Sequence, residues 1–273
     1  HSIMVNNIAP SNGQIDLRNA DDQISILPDQ QQIWWVDEDQ SLELVGDVTD
    51  SPNDMDSLTW MWQPDVDIDP TLSMTSTGAT SVIPVSWSEK GLHKISMQVF
   101  DDDDESSGIV SRYVRVQNVP PTIADFEQQL PLWEDQNAQL TADFSDSASD
   151  VDSLVACWDT NPFVNSDGEF SADDDCDISG STLTQSWPSA GSYQVIFHVT
   201  DDDGDRTSEM VNFTVRNRKP VAAIVASNLL PETGEKFSLS GNLSTDTASD
   251  MDDLIYRWDL DTTEDADDDG FAD

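Results

Sequence analysis

A phrase repeated at a fixed offset constrains this chain more than its composition does. Trp87-Ser-Glu-Lys-Gly91, an alternating stretch and Asp101-Asp-Asp-Asp104 return 100 residues later as Trp187-Pro-Ser-Ala-Gly191, an alternating stretch and Asp201-Asp-Asp-Gly204. A chain that restates a motif at that interval folds as a row of similar units, each the size of a small domain. A second ladder agrees with the first. Asp54, Asp150 and Asp250 each open an Asp-x-Asp pair, and each stands eight residues before a tryptophan, at Trp62, Trp158 and Trp258. Within one unit the tryptophans are 25 residues apart in the first copy (Trp62 to Trp87) and 29 in the second (Trp158 to Trp187). The second copy therefore carries an insertion in the acidic stretch after Trp158.

Tyr193, Val195, Phe197 and Val199 alternate with Gln194, Ile196 and His198, the period-two pattern of a half-buried strand. The counterpart in the first copy is His93, Ile95, Met97 and Val99. Each run leads through an acidic turn into a second one, Tyr113-Val-Arg-Val116 or Val211-Asn-Phe-Thr-Val215, so each pair reads as a hairpin. Asn118-Val-Pro-Pro121 and Asn217-Arg-Lys-Pro220 follow as linkers, where proline cannot donate to a sheet ladder. Ile15-Asp-Leu-Arg-Asn19 matches Val114-Arg-Val-Gln-Asn118 in register. Residues 1–23 are accordingly expected to be the tail hairpin of a preceding repeat. Sandwiches are then expected over 24–118, over 119–218 with the acidic insertion, and over 219–273, the last one incomplete. His1 in place of an initiator Met and Asp273 inside an unfinished repeat suggest an excerpt from a longer polypeptide.

Helical periodicity is absent over any useful length. Many short strands at turn-rich spacing, with a tryptophan on a central strand, predict an all-β chain of tandem immunoglobulin-like antiparallel sandwiches. Trp62, Trp158 and Trp258 are then core anchors. Trp34, Trp35, Trp60 and Trp133 stand at adjacent or alternating positions and are expected to divide between core and surface.

With 55 Asp and Glu against 11 Lys and Arg, the formal net charge is −44. Phosphate contacts need clustered basic side chains, so nucleic acid and anionic membrane surfaces are excluded as partners. Such charge repels itself unless divalent cations bind it or high salt screens it. No apolar run is long enough to span a bilayer. The two cysteines, Cys157 and Cys176, either bridge and pin the acidic insertion to the core strand beside Trp158, or remain a buried and a surface thiol. Neither has a Cys or His neighbour at zinc-ligand spacing.

The phrase Trp187-Pro-Ser-Ala-Gly-Ser-Tyr-Gln-Val-Ile-Phe-His-Val-Thr-Asp-Asp-Asp-Gly204 resembles the late strands of the PKD domain. Ser149-Asp-Val-Asp152 leading to Trp158-Asp159, and Ser249-Asp-Met-Asp252 leading to Trp258-Asp259, are similar to its upstream motif. The chain departs from the family in lacking Gly-Asp-Gly after Trp-Asp, in Gln63 after the first ladder tryptophan, and in His93 where tyrosine is usual. The resemblance implies a secreted or surface-exposed bacterial or archaeal protein whose domains serve as spacers, adhesion modules or accessories to hydrolases. Cadherin-like sandwiches share the architecture by analogy, which does not settle function.

Asp265, Asp267, Asp269, Phe271 and Asp273 fit the first nine positions of an EF-hand-like calcium loop, D-x-D-x-D-G-x-x-D, with Gly270 at the sharp turn. The segment resembles thrombospondin type 3 and dockerin repeats, and is the first candidate calcium site. Asp167, Glu169, Asp173, Asp175 and Asp177 carry comparable charge at irregular spacing and form the second. The third comprises the Asp-x-Asp pairs, Asp150 and Asp152 above all, meeting Glu38, Glu134 or Glu232 near the linker prolines, with Glu134 as the chosen partner. Against each stands a solvated acidic turn. The runs Asp101–Asp104 and Asp201–Asp205 are read as solvated hairpin tips and assigned no site.

The three histidines, His1, His93 and His198, fall in separate units or strands, so no triad forms; no phosphate loop or nucleophile elbow occurs. Enzymatic activity is not expected. Two functions stay open: a monomeric, calcium-binding structural or adhesive array of an extracellular or cell-surface protein, engaging a surface protein or polysaccharide, and a carbohydrate-binding accessory of a larger secreted hydrolase. A row of exposed Trp34, Trp35, Trp60 and Trp133 would favour the second. Salt adaptation, with acids holding water and no specific ion, is the third possibility.

Overall fold

The computed structural model describes residues 6–67, 71–128, 130–165 and 175–259. Among the described residues the regular structure is β-strand, apart from single 3-10 turns at Met55–Ser57 and Met251–Asp253.

The first sandwich uses eight strands: β1 (Ser11–Asn19), β2 (Ile33–Asp37), β3 (Leu42–Thr49), β4 (Thr59–Gln63), β5 (Met74–Thr77), β6 (Ser81–Val85), β7 (Gly91–Phe100) and β8 (Val110–Gln117). One sheet has the order β1-β3-β6 and the other β2-β8-β7-β4-β5. Alternation decides which side chains turn inward. Leu42, Leu44 and Val48 of β3, Trp60 and Trp62 of β4, Ile95, Met97 and Val99 of β7, and Val114 and Val116 of β8 all enter one core. Because side chains two apart share a face, Trp60 and Trp62 are both inside, whereas adjacent Trp34 and Trp35 split, at 2% and 49% exposed. Gly46 of β3 makes room for the two indoles: a Cβ there would stand 2.7 Å from Trp60 and 2.7 Å from Trp62.

Two expectations need correcting. Residues 11–19 do not close a preceding repeat: β1 pairs antiparallel with β3, Leu17 opposite Leu44, and both Ile15 and Leu17 lie in the same core as Trp62. Alternation reports the faces of a strand and not its partner, so the match of Ile15–Asn19 to the end of β8 misled. Nor is the sandwich wholly antiparallel. β2 runs parallel to β8, Trp34 opposite Val114, and this pairing delivers the residues after β2 to the end of β8.

The second sandwich repeats the arrangement with β9 (Thr122–Gln128), β10 (Leu132–Trp133), β11 (Ala138–Ser145), β12 (Val155–Asp159), β13 (Ile178–Ser179), β14 (Thr182–Gln185), β15 (Gly191–Thr200) and β16 (Arg206–Arg216). Its sheets are β14-β11-β9 and β10-β16-β15-β12-β13, with β10 again parallel to β16. Trp158 and Phe197 are fully buried with ring centroids 4.9 Å apart, and Phe126 and Phe144 pack around them. Cys157 and Cys176 form a disulfide. Beyond Arg216, β17 (Val225–Ala226) pairs with β18 (Leu239–Ser240). Trp258, expected as a core anchor, is 39% exposed, and residues 254–259 join no strand.

The chain divides into two compact units. The first comprises His1–Thr122 together with Ser145–Val155 and Val199–Thr207; the second comprises Ile123–Phe144, Ala156–His198 and Ser208–Asp273. Two loops of the second repeat thus belong with the first unit, and they carry Asp150 and Asp203. No helix among the described residues is long and apolar enough to cross a membrane.

Candidate metal centre

Three stretches of the first unit meet around Glu38. The parallel pairing of β2 with β8 sets Glu38 beside the end of β8, where its N–H donates to the Gln117 carbonyl at 3.0 Å. Glu38 Oε1 then accepts the N–H of Val119 at 2.7 Å. Next door, Asp39 N–H donates to the Trp87 carbonyl at 2.8 Å, and Asp39 Oδ2 accepts the N–H of Ser149 at 2.6 Å, which holds the loop carrying Asp150. Asp203 comes from the tip between β15 and β16. That tip is shaped by Asp201, whose Oδ1 accepts the Asp205 N–H at 2.8 Å, and tied to the linker by Asn118, whose Nδ2 donates to Asp201 Oδ2 at 2.8 Å and Asp205 Oδ2 at 2.7 Å.

Glu38, Asp150 and Asp203 each place one carboxylate oxygen so that all three lie within 4.8 Å of one another. Oxygens bound to one calcium ion at about 2.3–2.6 Å stand no more than about 5 Å apart, so the cluster has the reach of a coordination shell. Glu38 is 3% and Asp150 6% exposed. Glu38 Oε2 and Asp150 Oδ2 are buried without a hydrogen-bond donor. Burying unpaired carboxylates together is expensive unless a proton or a cation joins them. Burial raises the Glu38 pKa to about 7, against the pull of the Val119 N–H; the Asp150 and Asp203 charges and a side-chain hydrogen bond that a protonated Glu38 shares with Asp150 push the same way. Lys90 stands at the rim, its Nζ 3.0 Å from Asp203 Oδ1 and donating to the Asp203 carbonyl at 2.8 Å.

The expected site residues fare unequally. Asp265, Asp267, Asp269, Phe271 and Asp273 lie outside the described residues, as do Asp167, Glu169 and Asp173. Asp175 is buried, and Asp177 Oδ2 accepts the Thr160 N–H at 2.9 Å and its hydroxyl at 2.7 Å. Asp150 joins the cluster while Asp152 is exposed. Glu134 is not part of this cluster. Its Oε1 accepts the Arg218 N–H at 2.7 Å, the counterpart of the Glu38–Val119 bond one repeat later, so the glutamate facing Asp150 is Glu38. Asp203 was missed because a hairpin tip reads as solvated. Its signal was positional, since the Asp150 loop, this tip and the linker at Asn118 all fall in the first unit.

The tryptophan row is absent. Trp34 and Trp60 are core residues, whereas Arg115 lies 5.9 Å over Trp35 and Arg218 5.9 Å over Trp133. His93 is buried, Nδ1 facing Asp65 Oδ2 at 3.0 Å and Nε2 facing the Glu89 carbonyl at 2.8 Å; His198 Nδ1 shares a 2.7 Å hydrogen bond with the Ser208 hydroxyl.

No protein-family model and no curated protein matches the chain. Among solved structures, it is similar to the PKD domain of an M14-like peptidase from Thermoplasmatales archaeon SCGC AB-540-F20, at 14% identity over 41% of this chain and 98% of that one, TM-score 0.29. It is also similar to the PKD1 domain of the Vibrio cholerae metalloprotease PrtV, at 25% identity over 36% of this chain and all of the other, TM-score 0.25. The titin domains Z1Z2 match 79% of this chain over their full length at 11% identity, TM-score 0.37. The strand pairing itself, repeated through eight strands in two successive copies, defines the class: tandem immunoglobulin-like β-sandwiches.

Proposed function

We propose that the chain is a non-catalytic, calcium-binding structural or adhesive array of an extracellular or cell-surface protein. The observation that carries this reading is the convergence of Glu38, Asp150 and Asp203, with two buried carboxylate oxygens that no donor satisfies. A calcium ion there supplies the missing charge and ties the end of β2, the linker at Val119 and the two acidic loops into one body. The ligands are all oxygens, as a hard cation requires. A disulfide suits an oxidising compartment outside the cytosol. The array is monomeric in this reading, and what it would hold or contact is a surface protein or polysaccharide. The hydrolase-accessory alternative loses its main support with the tryptophan row.

Calorimetric titration of the EDTA-treated chain with calcium at fixed ionic strength tests the proposal, alongside Glu38→Gln. Saturable binding that raises the melting temperature, and is weakened at least tenfold in E38Q, is expected. Equal stabilisation by sodium at the same ionic strength would mean that the acids are screened rather than ligated.

A further inference from the structure

We infer that the Glu38 cluster holds two cations rather than one, the second seated by Asp146, the Asn118 amide oxygen and Asp150. The inference deepens the reading of Glu38, Asp150 and Asp203 as a cation site and rests on it for the first ion.

Asn118 gives the first reason. Its side-chain amide contacts two carboxylates, Asp201 Oδ2 at 2.8 Å and Asp205 Oδ2 at 2.7 Å. Only the NH2 end can face two acceptors, so the orientation of the amide is fixed by chemistry and Oδ1 must point away from them. That oxygen is buried and accepts nothing. Asp146 gives the second. Its Oδ1 accepts the Ser147 N–H at 2.8 Å, while its Oδ2 is buried without a donor. Burial raises its pKa, and the Asp150, Asp201 and Asp202 charges add to the rise against the Ser147 N–H. Asp150 is the shared member: nine-tenths buried, with Oδ2 lacking a donor, it acts electrostatically on both Asp146 and Glu38.

Asp146 is nevertheless not among the carboxylates whose oxygens come within 4.8 Å of one another. An ion held by the compact set of Glu38, Asp150 and Asp203 therefore does not draw on Asp146 Oδ2 as the residues stand. A second ion bridged to the first through the Asp150 carboxylate satisfies it. All these residues belong to the first unit.

The first sandwich repeats part of the arrangement, where Glu38 takes no part. Asp50 Oδ1 accepts the Ser51 N–H at 2.7 Å, Asp50 Oδ2 is buried without a donor, and Asn7 Nδ2 donates to Asp101 Oδ2 at 2.7 Å. There, however, the counterpart of Asp150 is Asp54, whose Oδ2 already accepts the Ser51 hydroxyl at 2.7 Å, so the unsatisfied set is complete only around Asp146 and Asp150.

The test counts ions. The full chain, stripped with EDTA and titrated with calcium chloride, is followed by native mass spectrometry and calorimetry in wild type, Glu38→Gln, Asp146→Asn and Asn118→Ala, with circular dichroism confirming the fold of each. Each variant is expected to bind one ion fewer than wild type, and E38Q with D146N two fewer. If D146N and N118A both keep the wild-type stoichiometry while E38Q loses an ion, the second position is wrong and the Glu38 site stands. If no variant loses an ion, both are wrong. Should D146N fail to fold, N118A decides: wild-type stoichiometry there overturns the inference.

Discussion

Glu38 accepts the backbone N–H of Val119 at 2.7 Å across 81 residues of sequence, and in doing so brings a buried carboxylate to the linker between two repeats. The pairing of Glu134 with Arg218 at the same distance shows that the contact is a rule of the repeat rather than an accident of one loop. Each glutamate is followed by an aspartate that holds a serine of the next Ser-Asp-x-Asp motif: Asp39 with Ser149 and Asp135 with Ser249, both at 2.6 Å. The Glu-Asp pair at the end of one repeat therefore addresses the linker and the acidic loop of the next.

The raised Glu38 pKa gives a pH signature of definite sign. Its folded value of about 7 lies above the ordinary 4.5 of an unfolded glutamate, so between these pH values the folded chain binds more protons than the unfolded one. Without calcium, the stability this proton supplies is fully present below about pH 4.5 and lost as pH rises through 7, a change on the order of 3 kcal/mol. Calcium competes with the proton, so stabilisation by calcium grows over the same interval. Urea melts from pH 5 to 8, in EDTA and in calcium, should diverge with rising pH. E38Q should flatten both trends, and a wild type whose calcium effect is the same at pH 5 and pH 8 contradicts the assignment.

Gly46→Ala tests the packing of the first core. A methyl there meets Trp60 and Trp62 at 2.7 Å, closer than real Cβ contacts come, and Met97 Sδ at a tight 3.0 Å. Loss of about 2 kcal/mol is expected, as for other overpacked cores, read from the urea midpoint at unchanged slope. The second sandwich carries Ala142 and Ala156 where the first has Gly46 and Trp60, and there Phe126 and Phe197 pack against Trp158.

The strands were readable because their alternation is regular: Ile95, Met97 and Val99, or Val195, Phe197 and Val199, could only be inward rows. What alternation could not supply was partnership. It left β1 assigned to a missing hairpin and gave no sign that β2 runs parallel to β8. The metal cluster was half legible for the same reason. Asp150 and a glutamate near the linker prolines follow from the repeat, but choosing Glu38 over Glu134 requires knowing that β2 delivers its end to the linker after β8. Asp203 is one acid in a run of acids, and only the placement of the tip distinguishes it.

His93 and Asp65 offer a double-mutant test. Tyr193 occupies the position of His93 in the second repeat, and its hydroxyl donates to the Ser189 carbonyl at 2.8 Å just as the His93 ring faces that of Glu89. His93→Tyr should keep that contact yet leave the buried Asp65 without its partner, costing about 2–3 kcal/mol. Asp65→Asn in the same chain should recover more than half of the loss. Additive costs in the cycle would show that the two side chains are not coupled.

The Cys157–Cys176 bridge closes a 19-residue span between the core strand beside Trp158 and the start of β13. By the chain-entropy estimate such a loop is worth about 3 kcal/mol, through restriction of the unfolded chain. Replacing both cysteines with alanine should lower the melting temperature by several degrees. The bridge lies in the second compact unit and the Glu38 cluster in the first, so the calcium-induced rise in melting temperature should persist in the double-alanine chain. If the calcium response disappears with the bridge, the ions that stabilise the protein sit in the acidic insertion and not at Glu38.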